Sequence, residues 1–203
     1  MYRSGRAITA TMLALLVVGA AGCAKQVSRI DPTSVTDLSG RWNDTDSRLV
    51  ANELISQSLN APWVSRHTQL HGGEAPAVIV GTFRNRTLEH IATNTFISDL
   101  ERAMINSGAV TMVASPTERE EIRAEREDQQ DNARSGSRAR MAYELGADYM
   151  LQGDITAIED EEGREKVVFY QIDATLTDLE SNVKVWAGQH EIKKYIERPR
   201  IGW

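Results

Sequence analysis

The chain has 203 residues, 41% of them hydrophobic and 26% charged, which suits one medium-sized core with tails and would cramp two full domains. Its formal charge is -6. With no basic block to offset that balance, nucleic-acid binding is excluded as the working function, because phosphate neutralisation supplies most of such affinity.

Residues 1–22 read as a signal peptide. Arg3 and Arg6 form a positive n-region, and the apolar stretch Ala7 to Ala21 is too short to span a bilayer comfortably. Ala20, Ala21 and Gly22 lead into Cys23, the only cysteine, and a lone thiol is ill suited to an oxidising compartment. The arrangement resembles a bacterial lipobox, with Ala20 at the position where such motifs most often carry Leu. That resemblance implies a lipidated Cys23 as the mature N-terminus. Ala24, in place of the Asp that retains lipoproteins in the inner membrane, implies the outer membrane, facing the periplasm. Residues 24–41, polar with Pro32 and Gly40, then predict a flexible tether reaching on the order of 60 Å fully stretched.

A single globular αβ domain is expected over 42–195. It opens with a helix over 42–59, where Asn43 is placed to cap, Asp44 and Asp46 favour the positive end of the helix dipole, and Ala51, Leu54, Ile55 and Ser58 share one face. Residues 60–76 contain Pro62, Gly72, Gly73 and Pro76 and predict a loop. Ala77 to Phe83 is an almost continuous apolar run, the signature of a strand covered on both faces. Arg84, Asn85, Arg86 and Thr87 form a polar loop after it. Ile97, Leu100, Ala103 and Met104 then mark a helix stopped by Gly108, and Ala109 to Ala114 is a second apolar strand. Strand, crossover helix and strand make a βαβ unit, the seed of a sheet with helices packed on it.

Ser115, Pro116 and Glu118 make a capping box that starts a helix whose one large apolar residue is Ile122, so it must lie mostly in water. Asp131 to Ser137 reads as a break, and Ala139, Met141, Ala142 and Leu145 as a short helix ended by Gly146. The last third is β. Asp148 to Ile158 and Lys166 to Thr177 flank an acidic turn, EDEEGRE. In the second strand Val168, Tyr170, Ile172, Ala174 and Leu176 alternate with polar residues. A third strand runs from Val183 to Ile192, and 196–203 is expected to be a frayed C-terminal tail.

The polar loop at 84–87 has no Gly-rich phosphate cradle and no acid placed for a ribose, so a nucleotide cofactor is not expected. His67 and His71 have a metal-ligand spacing, but next to a Gly pair and without an intervening Glu they read as exposed loop histidines. No nucleophile elbow or metal cluster supports an enzyme, and no cofactor or metal is expected. Arg84 and Arg86 are the candidate partner-binding residues, because Arg gives planar bidentate contacts to carboxylates. The alternative reading pairs them with local acids and gives Asn85 and Thr87 turn and capping roles.

The segments DLSGRWNDTDSRLV at 37–50, VGTFRNRT at 80–87, INSG at 105–108, ELGADYMLQGDI at 144–155 and DLESNVKVWAG at 178–188 together resemble the LpoB-type penicillin-binding protein activators. The resemblance implies a small mixed β-sheet with helices packed on it, similar to the TolB N-terminal domain and shared with curli-secretion-type lipoproteins. It also implies a monomeric outer-membrane lipoprotein that binds a bifunctional peptidoglycan synthase and stimulates it. The departure is the tether, since such activators carry a long Pro-rich linker and this chain has only residues 24–41. A curli-secretion-type envelope assembly factor is the alternative, weakened because short strand pairs ending in tight turns do not suit barrel strands.

Overall fold

The computed structural model describes residues 26–132 and 144–199. The chain divides into two units, Met1–Ser34 and Val35–Trp203. In the first unit Asp31 closes a turn by accepting from the Thr33 amide at 2.8 Å. The second carries four described helices, α1 (Asp44–Leu59), α2 (Trp63–Leu70), α3 (Thr93–Ser107) and α4 (Pro116–Asn132), and five strands. The strands are β1 (Ala77–Asn85), β2 (Thr111–Met112), β3 (Tyr149–Glu162), β4 (Glu165–Asp178) and β5 (Lys184–Glu197), in the sheet order β2-β1-β3-β4-β5.

The fold is the mixed α/β class expected from the sequence. β1 pairs parallel with β2 on one side and with β3 on the other, and β3, β4 and β5 form an antiparallel meander. Ala77, Val78, Ile79 and Val80 are all buried, as their unbroken apolar run requires of a strand covered on both faces. α3 supplies the crossover, burying Phe96, Leu100 and Met104, and ends at Gly108 with φ 64°, a backbone angle that favours glycine.

α1 and α3 pack against each other, and the alternation of β4 sends Val168, Tyr170, Ile172, Ala174 and Leu176 into the same core as Val50, Leu54 and Ile55 of α1. Where Phe83 enters that core it pairs with Gly153 of β3. A Cβ on Gly153 would collide with the Phe83 ring and with the carbonyl oxygen of Asp173. The glycine thus leaves room for the ring, which stands edge-on to Phe96 at 5.1 Å.

Several expectations need correction. Residues 63–70 are helical, not loop, because Trp63 anchors the segment through Nε1–H to the Ser58 carbonyl at 2.7 Å. Gly72 and Gly73, with φ 65° and 98°, follow the helix as its stop instead of preventing it. β1 continues through Arg84 and Asn85, which therefore belong to the strand. The acidic segment EDEEGRE is strand on both sides of a turn at Gly163 and Arg164, because β3 and β4 stay in register from Glu162↔Glu165 inward.

β5 runs to Glu197, with Ile196 against the core, so the first residues read as tail are strand. The end of the region read as tether is also held by the domain, as shown below. The short helix expected from Ala139, Met141 and Ala142 lies outside the described residues, as does Cys23; Leu145 is exposed and non-helical.

Candidate partner-binding surface

Arg84 and Arg86 stand two residues apart at the end of β1, so their side chains leave the sheet on the same face. Asp154, opposite Arg84 in β3, receives both. Arg84 makes a bidentate pair, Nε to Oδ1 and Nη2 to Oδ2, each at 2.9 Å, and Arg86 adds Nε to Oδ1 at 2.7 Å. The Arg84 and then the Arg86 hydrogen bonds hold the Asp154 carboxyl below the usual carboxylate range, and the same contact raises Arg84.

Two guanidinium groups on one carboxylate leave a net positive spot on an acidic protein. The arginine side chains are 60% and 55% exposed while that of Asp154 is 27% exposed. A planar cation held in one orientation by a local acid can still present its remaining N–H groups outward.

Asn85 and Thr87 shape the turn that follows. The Asn85 side-chain amide donates to the Glu89 carbonyl at 2.7 Å, and its Oδ1 accepts from the Thr87 amide and hydroxyl at 2.9 and 2.8 Å. This is an Asx-type turn. Glu89 ties it to the core, because its Oε2 accepts from the Trp42 amide at 3.2 Å and from the buried Tyr170 hydroxyl at 2.9 Å. Burial first, and the Glu89 carboxylate second, raise the Tyr170 hydroxyl. All four residues therefore have local structural contacts, and the two arginines remain exposed.

His67 and His71 lie in and just after α2, and the reading of both as exposed loop residues does not hold for His67, which is buried. Its Nδ1 lies 3.0 Å from the Tyr149 hydroxyl, its ring stacks on His71 with centroids 4.0 Å apart, and its Nε2 is 3.7 Å from Asp148. Burial first, and the neighbouring His71 second, lower its pKa. Among the described residues no group of three or more His, Cys, Asp or Glu is placed to hold a metal ion.

Lys194 is a feature the sequence reading missed. Its side chain is 10% exposed, and its ammonium donates to Asp37 at 2.8 Å, to the Arg41 carbonyl at 3.1 Å and to Asp46 at 2.6 Å. Burial opposes the charge, but the hydrogen bonds to the two carboxylates outweigh it and leave the ammonium raised. The segment leading into α1 is thereby fastened to β5. Gly40, at φ 68°, presses against Ile196 where a Cβ would collide. The available signal was positional: His190, Ile192, Lys194 and Ile196 share the helix-side face of β5, where a lysine needs a partner.

Among solved structures, the LpoB C-terminal domain from Escherichia coli is 16% identical and covers 73% of this chain and 99% of its own, with a TM-score of 0.46. The NMR structure of Escherichia coli LpoB is 15% identical and covers 88% of this chain and 84% of its own, with a TM-score of 0.41. A PelC dodecamer from Paraburkholderia phytofirmans is 17% identical and covers 60% and 74%, with a TM-score of 0.34. No curated protein matches the sequence. The family model described as peptidoglycan-synthase activator LpoB matches residues 46–192, which runs from the first turn of α1 into β5. The chain belongs to the LpoB family of peptidoglycan-synthase activators.

Proposed function

We propose that this protein is a non-enzymatic, monomeric lipoprotein, anchored through Cys23 in the outer membrane and facing the periplasm, that binds a bifunctional peptidoglycan synthase and stimulates it. The observation that carries this reading is the family match across residues 46–192. Arg84 and Arg86, oriented by Asp154 and by the turn that Asn85 and Thr87 build, are the proposed contacts to carboxylates on the synthase. Activation is an effect of binding, in which the synthase's active conformation is the one this surface fits better.

The Lys194 clasp shortens the reach. With Asp37 and Arg41 held to β5, the free tether is residues 24–36, at most roughly 45 Å when fully stretched. The synthase must therefore offer its docking surface within that tether length, plus the breadth of the domain itself, of the outer membrane.

The test is reconstitution. Full-length lipidated protein in detergent, mixed with the purified bifunctional synthase of the same bacterium, should raise the rate of glycan polymerisation, and the protein alone should leave isolated peptidoglycan unchanged. Absence of both binding and stimulation would overturn the reading, and turnover of peptidoglycan by the protein alone would restore an enzyme.

A further inference from the structure

The sheet has a second face. α1 and α3 pack on the side of β4 that carries Tyr170 and Ile172, so the alternate residues of β3, β4 and β5 point the other way. Register places Ile158 directly opposite Phe169, and Val167 directly opposite Tyr195. These two cross-strand rows are adjacent and bring four apolar side chains together, with Lys193 opposite Phe169 in the first row and Asp160 opposite Val167 in the second. Ile158 is 67% and Tyr195 60% exposed, and Val167 and Phe169 are half-buried. Single exposed apolar residues need no explanation; a contiguous group across three strands does.

The charges around the patch specify what it fits. Along the β3–β4 hairpin the carboxylates that project to the helix side are neutralised, Glu159 by Lys166 at 2.6 Å and Glu161 by Arg198 at 3.0 Å. On the patch side Lys193 stands opposite Phe169, while Glu162, Glu165 and Glu197 make one row beyond Asp160, and among the described residues no cation pairs with any of these four acids. The unbalanced acids thus border the apolar patch toward the hairpin tip. A second copy meeting the patch hairpin tip to hairpin tip would set these acids against their own kind.

We propose that Ile158, Val167, Phe169 and Tyr195, with Asp160 and Glu162 at their border, form a docking surface for a protein partner that offers an apolar centre rimmed by lysine or arginine. Resting on the functional reading above, that partner is the synthase. Arg84 and Arg86 emerge on the same face at Asp154, four residues before Ile158 along β3 and so roughly 13 Å away. One partner can reach both.

Two variants of the full-length protein test the surface, each measured for affinity to the purified synthase with circular dichroism and thermal midpoint as controls. Ile158→Thr combined with Phe169→Thr should weaken binding by about 30-fold, as removal of a central apolar anchor does. Asp160→Lys combined with Glu162→Lys, at exposed positions near the hairpin tip that the core does not need, should weaken it by about 10-fold and flatten its dependence on salt. Ile105→Thr, on the exposed side of α3, should change nothing.

If the native protein binds the synthase and both patch variants bind as tightly, the docking surface is refuted while the activator reading stands. If the native protein fails to bind at all, it is the activator reading that fails. If the native protein is a dimer and the Ile158/Phe169 variant becomes a monomer with synthase binding intact, the patch serves self-association and the proposal is overturned.

Discussion

At the scale of single residues, the polar groups inside this fold are the ones with most at stake. Asp46 is 7% exposed at its side chain and meets an ammonium that is 10% exposed; removing one partner leaves the other charge buried and uncompensated. Lys194→Met, which keeps the length of the side chain, should therefore cost about 3 kcal/mol in urea unfolding. Asp37→Asn should cost far less, since Asp37 is 48% exposed and water can replace the bond.

His67 gives a pH dependence of definite sign. Its folded pKa is lowered below the ordinary 6.5 by burial and by His71, so the unfolded chain binds the proton more readily than the folded one. The stability this contributes is fully present above pH ~6.5 and declines as pH falls below that value toward the folded pKa. The thermal midpoint of the native protein should fall between pH 7.5 and 5, and His67→Gln should reduce that slope. An unchanged slope would mean that other groups set it.

At the scale of elements, the two helix starts that capping residues marked are both realised, yet they have different consequences. Asn43 and Asp46 exchange hydrogen bonds of 3.1 and 2.9 Å at the start of α1, a helix that buries eight residues. Ser115 and Glu118 do the same at 3.4 and 2.7 Å for α4, which buries none. Asn43→Ala should cost about 1 kcal/mol of global stability. Ser115→Ala should speed amide exchange in the first turn of α4 and leave the thermal midpoint in place, because that turn is not coupled to the core.

The same contrast explains what the sequence made legible. The period-2 pattern of β4 and the apolar run of β1 were readable because each is a repeated local signal of burial. α2 was not, because its eight residues carry only Trp63 and His67 as buried anchors, and a glycine pair marks a helix stop as well as a loop. The strand continuation through Glu159 to Glu162 was hidden because its support is cross-strand pairing and ion pairs with Lys166 and Arg198, partners distant in sequence. At the candidate site, the arginines were legible as a polar cluster after a central strand. Their shared acid, Asp154, sits 68 to 70 positions away, beyond what local pattern conveys.

At the scale of the whole molecule, a net charge of -6 sets an average repulsion toward acidic partners, against which the spot at Arg84 and Arg86 is a local exception. This makes the role of the arginines separable from their role in the fold. Their bonds to Asp154 are exposed, and exposed ion pairs add little to stability, so Arg84→Ala combined with Arg86→Ala should barely move the thermal midpoint. If the guanidinium groups meet carboxylates on the synthase, the same double variant should weaken binding by more than about 30-fold, the range of an interface anchor.

Asp154→Asn supplies the complementary test. It removes the local competitor for both arginines, so a surface that works through them should keep its affinity or gain some, with a steeper dependence on salt. A contact that is only structural gives a different pair of results: neither variant changes affinity, or the double alanine variant loses binding only as it loses the fold. Titrating the native and the two variant proteins against the synthase at two ionic strengths, with the thermal midpoint of each alongside, distinguishes the two cases.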